Sequence, residues 1–529
     1  MFAKRRTAAL LASAALALAG SALAGPDPGA AATAAPATEA IQWTTVAVAP
    51  GVTVRNGTLD DTASHPTWTV TVDATATSAL TGLSTVAELG TARWAQATAA
   101  RLTAAGYQPR LTTVDWPDFT DTPHGVEGVR VRVGSFATQA DATAAATALH
   151  AAGFPTATVE WTGFDVDQPA DAQHIHVAIV DPAKFRGTVG TTHDGAIVQR
   201  ETTSSIAAKL GAVVAVNGGF FVTADADGFQ GVPSGLAAYD GELEAESSGS
   251  RAALVIENGT PSIRNLTSSV TVRDGAASHS VEGVNRKPGV VRDCGRPDSL
   301  PTTQPRQDIT CTSTDEIVLF TPEFGAALPA GAGTQALLDP HGEVVSVGAR
   351  GGSVPAGDSA LQAIGSSATW LARHAIVGRR LAVTEDIRDR SGRPVRLTAG
   401  DGIASAAPVL VRDGRVAIDA ATEGVLDTRD LSFNYSWVEQ RQPRTMAGID
   451  ARGRLILVTV DGRQPGVSEG ETMAEGAALM RSLGAVQAMN LDGGGSTAMA
   501  VRGVLVNHPS DATGERPIGD AVVILPSRH

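Results

Sequence analysis

Apolar and polar residues alternate with period two in Trp68-Thr69-Val70-Thr71-Val72, and again in Val129-Arg130-Val131-Arg132-Val133. Each run predicts a strand with one apolar face. An Ala/Leu stretch follows each one, at 89–105 and at 139–152, and glycines end both at Gly106 and Gly153. Second strands are expected near 110–114 and 157–161. The pattern reads βαβ-βαβ, and 66–163 has the length of a small domain. From about 174 the pattern changes to short Val/Ile/Ala runs cut by Gly, Asp and Pro. Examples are His176-Val177-Ala178-Ile179-Val180, Ala212-Val213-Val214-Ala215-Val216 and Glu316-Ile317-Val318-Leu319-Phe320. Helical spacing occurs at 204–210, 360–374 and 471–483, without regular alternation with the strands. The expected fold class is α+β: a small duplicated βαβ unit, then a larger domain over 174–529 with a mixed or antiparallel sheet.

The first residues read differently. Lys4, Arg5 and Arg6 precede an Ala/Leu run and then Ala22-Leu23-Ala24, the order of a secretory signal peptide over 1–24. The run is too short to span a bilayer, and no later segment reaches spanning length, so no membrane anchor is expected in the mature chain. Residues 25–65 read as a linker, Ala/Pro/Thr-rich to about Ala40. An exported chain with only two cysteines, Cys294 and Cys311, is expected to join them in a disulfide. A formal charge of -14 argues against nucleic acid as a partner.

The densest chemistry lies in Met489-Asn490-Leu491-Asp492-Gly493-Gly494-Gly495-Ser496-Thr497. Three glycines after a carboxylate imply positive φ or a close approach to the backbone. No Lys follows, so this is not a phosphate-binding P-loop. Asn217-Gly218-Gly219 repeats the logic of a strand that ends in an amide and glycines. Arg444-Thr445 leads into another strand pair that ends at Asp461-Gly462-Arg463. Glu471, Thr472 and Glu475 open a helix, and Asn507-His508 lies near the end. Carboxylates at strand ends suit acid, base or nucleophile roles on sugars, and Arg suits a phosphate. Plainer readings compete for several of these residues. Asp461-Gly462 could be a hairpin turn, Glu475 a helix-capping partner, His508 a loop residue, and Arg444 the mate of a buried carboxylate. Acidic residues beside glycine turns could hold a structural Ca²⁺, but no complete loop motif is present and no cofactor is required.

Two family resemblances sharpen the picture. Val131-Arg132-Val133-Gly134-Ser135-Phe136, with Ala152-Gly153-Phe154 closing the helix, resembles a SPOR domain. That resemblance implies binding to peptidoglycan glycan strands. The second resemblance rests on Arg444-Thr445-x-x-Gly448, Val458-Thr459-Val460-Asp461-Gly462-Arg463, Met473-Ala474-Glu475, Asn490-Leu491-Asp492-Gly493-Gly494-Gly495-Ser496-Thr497 and Asn507-x-Pro509-Ser510-Asp511. Together they resemble the phosphodiester glycosidase family, whose best-known members remove N-acetylglucosamine from a phosphodiester. The resemblance implies hydrolysis of a sugar-1-phosphodiester by a secreted or wall-associated enzyme.

In that reading Asp492 and Asp461 serve as nucleophile or base, with Glu475 as a third carboxylate. Arg444 holds the phosphate, aided by the bare amides of Gly493, Gly494 and Gly495. Asn217 and Asn490 hold sugar hydroxyls, while Gly218, Thr445, Ser496 and His508 complete the substrate site. One departure from the family is Ala404-Ser405-Ala406-Ala407-Pro408, where glycines usually stand. Its added methyls are expected to narrow the cleft. A non-catalytic glycan-binding wall protein and a glycosidase of neutral glycans are the alternatives.

Overall fold

The structure, a computed structural model, describes residues 41–60, 65–77, 84–165, 170–294, 304–431, 433 and 435–527. The expected signal peptide and the first part of the linker lie outside the described residues. Strands far outnumber helices among those described, so the chain is strand-dominated rather than evenly mixed.

In the small unit the strands run in the order Leu89–Gly90, Val126–Phe136, Trp68–Val72, Ala157–Trp161, and Pro109–Asp115 also pairs with Val126–Phe136. All these pairs are antiparallel. Helices α1 (Ala92–Ala104) and α2 (Gln139–Ala151) cover one face. Thr91 and Thr138 cap them by accepting the amides of Trp94 and Asp141. Val70, Val72, Val129, Val131 and Val133 pack against Ala95, Leu102, Ala146 and Leu149. The alternate residues should face water in a two-layer unit. They do not: Arg130 is 1% and Arg132 4% exposed, and Thr69 and Thr71 are buried as well.

The larger part is built from stacked sheets. One eight-stranded sheet runs Gln42–Ala49, Val52–Asp60, Ala172–Val180, Leu455–Val460, Arg444–Asp450, Ala485–Asn490, Val409–Arg412, Arg415–Val416. This corrects the linker expected over 25–65, because from Gln42 the chain is a hairpin whose second strand pairs with Ala172–Val180. Val52 and Val54 alternate with polar residues and point into the core, a short period-two signal hidden in a Thr-rich context.

A second sheet orders Thr188–Thr192, Ala521–Leu525, Val214–Asn217, Met499–Val501 and Val504–Leu505. The two sheets share one apolar core. Helix α3 (Thr203–Leu210) lies against the second sheet. Two further sheets carry α4 (Gly365–His374) over a separate core. The helix expected over 360–374 therefore starts late, since Ser359–Ile364 is a buried strand. The short α5 (Tyr435–Val438) and α6 (Met473–Ser482) flank the first sheet. Cys294 and Cys311 are bonded, with Cα atoms 5.9 Å apart. No helix among the described residues is long and apolar enough to cross a membrane.

Candidate active site

Strand register brings the chemistry to one place. Arg444 lies opposite Val460, and Met446 opposite Asn490, in three adjacent antiparallel strands. Arg444, Asp461 and Asp492 therefore emerge at the same end of one sheet. The ladder continues past the strands, with Leu491 N donating to Thr445 O at 2.8 Å and Gly494 N to Pro443 O at 2.9 Å. From the second sheet, Asn217 Nδ2 donates to Asp492 O at 2.6 Å. Asn217 Oδ1 accepts from Thr445 Oγ1 at 2.7 Å and from Ala498 N at 3.1 Å. Asn217 and Thr445 are thus buried stitches between the two sheets. Asn490 is buried too, donating to Ala407 O at 3.0 Å. Asn217 satisfies backbone at the sheet ends through both of its polar atoms, Thr445 bonds the Asn217 side chain, and the Asn490 Oδ1 stays without a hydrogen-bond partner among the described residues. Gly218 lets Asp520 approach: an added Cβ would sit 2.5 Å from Asp520 Oδ1.

The glycine triplet also has a packing role. Gly493 N donates to Asp492 Oδ1 at 3.0 Å. The amides of Gly494, Ser496 and Thr497 bond to Pro443 O, Gly493 O and Gly494 O. These amides are engaged within the protein, whereas the Gly495 amide takes part in none of these bonds. What the glycines provide is room for guanidinium groups. A Cβ on Gly494 would lie 3.2 Å from Arg463 Nη2, and one on Gly495 would lie 2.2 Å from both Arg516 Nη2 and Asp511 Oδ1. Gly494 also takes φ +59, a left-handed turn that favours glycine. Arg516 makes a two-pronged pair with Asp511 at 2.8 and 3.0 Å. Arg463 feels the charges of Arg516, Asp511 and Asp492. The sequence motif that contains Arg463 gave it no role, and Arg516 is brought to this loop by the fold.

The three expected carboxylates diverge. Asp492 is partly buried, and burial pushes its carboxyl up to about 7 against the pull of the Ser496 hydroxyl, the Arg516 charge and the Gly493 amide. Asp461 is buried and saturated: it accepts from His508 N at 3.1 and 3.0 Å and from Asn507 Nδ2 at 3.1 Å. It forms no hairpin turn but anchors the 507–508 loop, and it holds His508 at the exposed rim. Glu475 belongs to the capping box of α6, where its Oε2 accepts from Thr472 N at 3.0 Å. Its carboxylate also pairs with Arg441 at 2.6 Å. These contacts give Glu475 a structural role at the start of α6.

Arg444 is buried. Its Nε donates to Glu471 O at 2.7 Å, and its Nη2 to Trp437 O at 2.7 Å and Gln440 O at 3.3 Å. Burial, helped by the nearby Arg463 charge, lowers its guanidinium to about 9. Its hydrogen bonds tie together the 437–440 and 471 segments beside the site. The Glu471 carboxyl, read from the sequence only as part of the helix start, is fully buried without a hydrogen-bond partner among the described residues. Burial raises it to about 8, so it is protonated at neutral pH. Ala404, Ala406 and Ala407 are buried, so those methyls fill the interior instead of narrowing a cleft. No group of three or more His, Cys, Asp or Glu among the described residues could hold a metal ion.

Against this geometry, a phosphodiester glycosidase family model matches residues 333–525, and a SPOR domain model matches 85–159. Mouse N-acetylglucosamine-1-phosphodiester alpha-N-acetylglucosaminidase is 34% identical over 103 residues, 19% of this chain and 20% of that protein. The chain thus aligns with about a fifth of the length of the curated relatives it matches. A putative exported protein from Burkholderia pseudomallei superposes with a TM-score of 0.79 at 31% identity, covering 92% of this chain and 96% of that one. A hypothetical protein from Synechocystis shares the fold, with a TM-score of 0.51 at 17% identity, covering 91% of this chain and 75% of that one. Strands from before residue 333, such as Ala172–Val180 and Val214–Asn217, are interleaved with strands inside the matched span. The chain carries a phosphodiester glycosidase domain, preceded by a SPOR domain.

Proposed function

We propose that the chain is an exported hydrolase that cleaves the bond between an anomeric carbon and a phosphodiester oxygen. The observation that carries this reading is Asp492, a partly buried carboxyl near neutral pKa on a loop packed against Arg463 and Arg516. Those two cations are the natural holders of the phosphate. Phosphate is a weak base, so it leaves with the electron pair of the C1–O bond without needing prior protonation. Asp492 acts as general base. It takes a proton from water as the water oxygen bonds to C1, and the products are free sugar and a phosphomonoester. A base near pH 7 is well matched to that step. Asp461, Asn217 and Thr445 hold the strand ends in place. Arg444 is a buried positive charge behind the site.

By likeness to the mouse protein, an N-acetylglucosamine 1-phosphodiester is the first substrate to try. The SPOR match supports action among cell-wall glycans, with sugar-phosphate-linked wall polymers as the natural class. The test is release of free sugar from an α-linked N-acetylglucosamine-1-phosphodiester, with Asp492→Asn alongside. Release by the native chain alone supports the reading. Equal release by both chains sinks the assignment of Asp492.

A further inference from the structure

We infer that the SPOR unit is a working part of the active site: its polar sheet face clamps the 435–442 segment and so positions Arg444 and Arg463. The inference rests on the site proposed above and adds a second set of residues to it.

On the small unit, Arg130 pairs with Glu88 at 2.6 Å, and its Nη2 donates to the Tyr435 hydroxyl. Gln440 Nε2 donates to Glu88 Oε2 at 2.5 Å. Arg441 reaches the same unit three times: its amide donates to Phe164 O at 2.9 Å, and its Nη1 to Gly163 O at 2.9 Å and Asp165 O at 2.7 Å. Arg132 holds Asp165 from behind. These groups are buried, so they act in low dielectric and are costly to leave unpaired.

The clamped segment has its other side in the site. Trp437 O and Gln440 O receive Arg444 Nη2. Gln442 exchanges two backbone bonds with Glu471, whose carbonyl also receives Arg444 Nε. Gln442 Oε1 accepts from Arg463 Nε at 2.6 Å, fixing a residue that sits at φ 58. Nothing in this chain of contacts needs a ligand. Part of a polar sheet face that would be open in a free-standing unit is spent inside the molecule, while Arg110 and Thr158, opposite Arg132 and Thr71 on that face, stay exposed.

The test uses the full chain with Tyr435→Phe, Gln440→Ala and the pair, and Thr143→Ala on the exposed side of α2 as control. Hydrogen exchange across 437–444 is followed together with KM and kcat on the phosphodiester. The expected result for the pair is faster exchange in that segment and a KM raised about tenfold, with kcat within about threefold of native. Gln440→Glu, placed against Glu88, should exchange faster still, whereas Thr143→Ala changes nothing. Unaltered exchange, or faster exchange with unaltered kcat/KM, overturns the inference. If the native chain shows no turnover, the proposed reaction fails on its own. The clamp is then judged by exchange and by affinity for inorganic phosphate, which should weaken in the pair.

Discussion

Asp492 and Asp461 stand at the ends of strands in one sheet, each followed by glycine, yet they have opposite fates. Asp461 is met by the His508 amide on both oxygens and by Asn507, so its side chain is fixed. Asp492 receives one backbone amide and the nearby Ser496 hydroxyl, and burial pushes it up to about 7. The donors differ in origin: those to Asp461 tie a separate loop to the sheet, whereas those to Asp492 come from its own loop.

The sharpest way to break this contrast is to replace each aspartate by asparagine. Asp492→Asn should lower kcat about 10³-fold or more, as expected for loss of a general base, measured on the phosphodiester. Its unfolding temperature at pH 8 should equal or exceed the native value. A carboxyl raised in the folded state favours folding below its unfolded pKa and loses that contribution as pH rises towards 7.

The pH profile follows from the same group. Activity should fall about tenfold per unit below pH 7, as Asp492 takes up a proton, and level off above it. A profile flat from pH 5 to 8 would remove Asp492 from the base role. Arg516→Ala or Arg463→Ala should raise KM by roughly 10- to 100-fold, since each removes a charged hydrogen bond to phosphate. Asp461→Asn should mainly cost stability, about 2 kcal/mol in denaturant unfolding, because its amide would face the His508 N–H. Glu475→Gln should also cost about 2 kcal/mol of stability, since it weakens the cap and leaves the buried Arg441 facing a neutral group, with kcat within a few fold of native. A large kcat loss there would restore Glu475 to the chemistry.

Much of the local structure was legible. The strands at Trp68–Val72 and Glu316–Phe320 follow from alternation and from an apolar run, and α2 and α6 from their spacing and caps. The hairpin at Gln42–Asp60 was missed because its apolar positions are few and its neighbours are Thr-rich. The loop around Asp492 was recognisable as special. Its occupants were not, since what fills the space beside Gly494 and Gly495 comes from residues 463, 511 and 516.

By itself the sequence determined which residues are candidates: a glycine triplet has few uses, and period-two alternation leaves few folds. It also placed two family signatures in order along the chain. Only the tertiary structure decided the roles. Asn217 became a stitch, Glu475 a cap, Asp461 an anchor, and Arg130 with Arg441 a joint between units. The physical reason is that a polar side chain's function depends on which of its hydrogen-bonding groups remain unspent. The Glu475 cap is local and was open to the sequence, but the partners of Asn217, Arg130 and Arg441 lie hundreds of residues away, which no local pattern records.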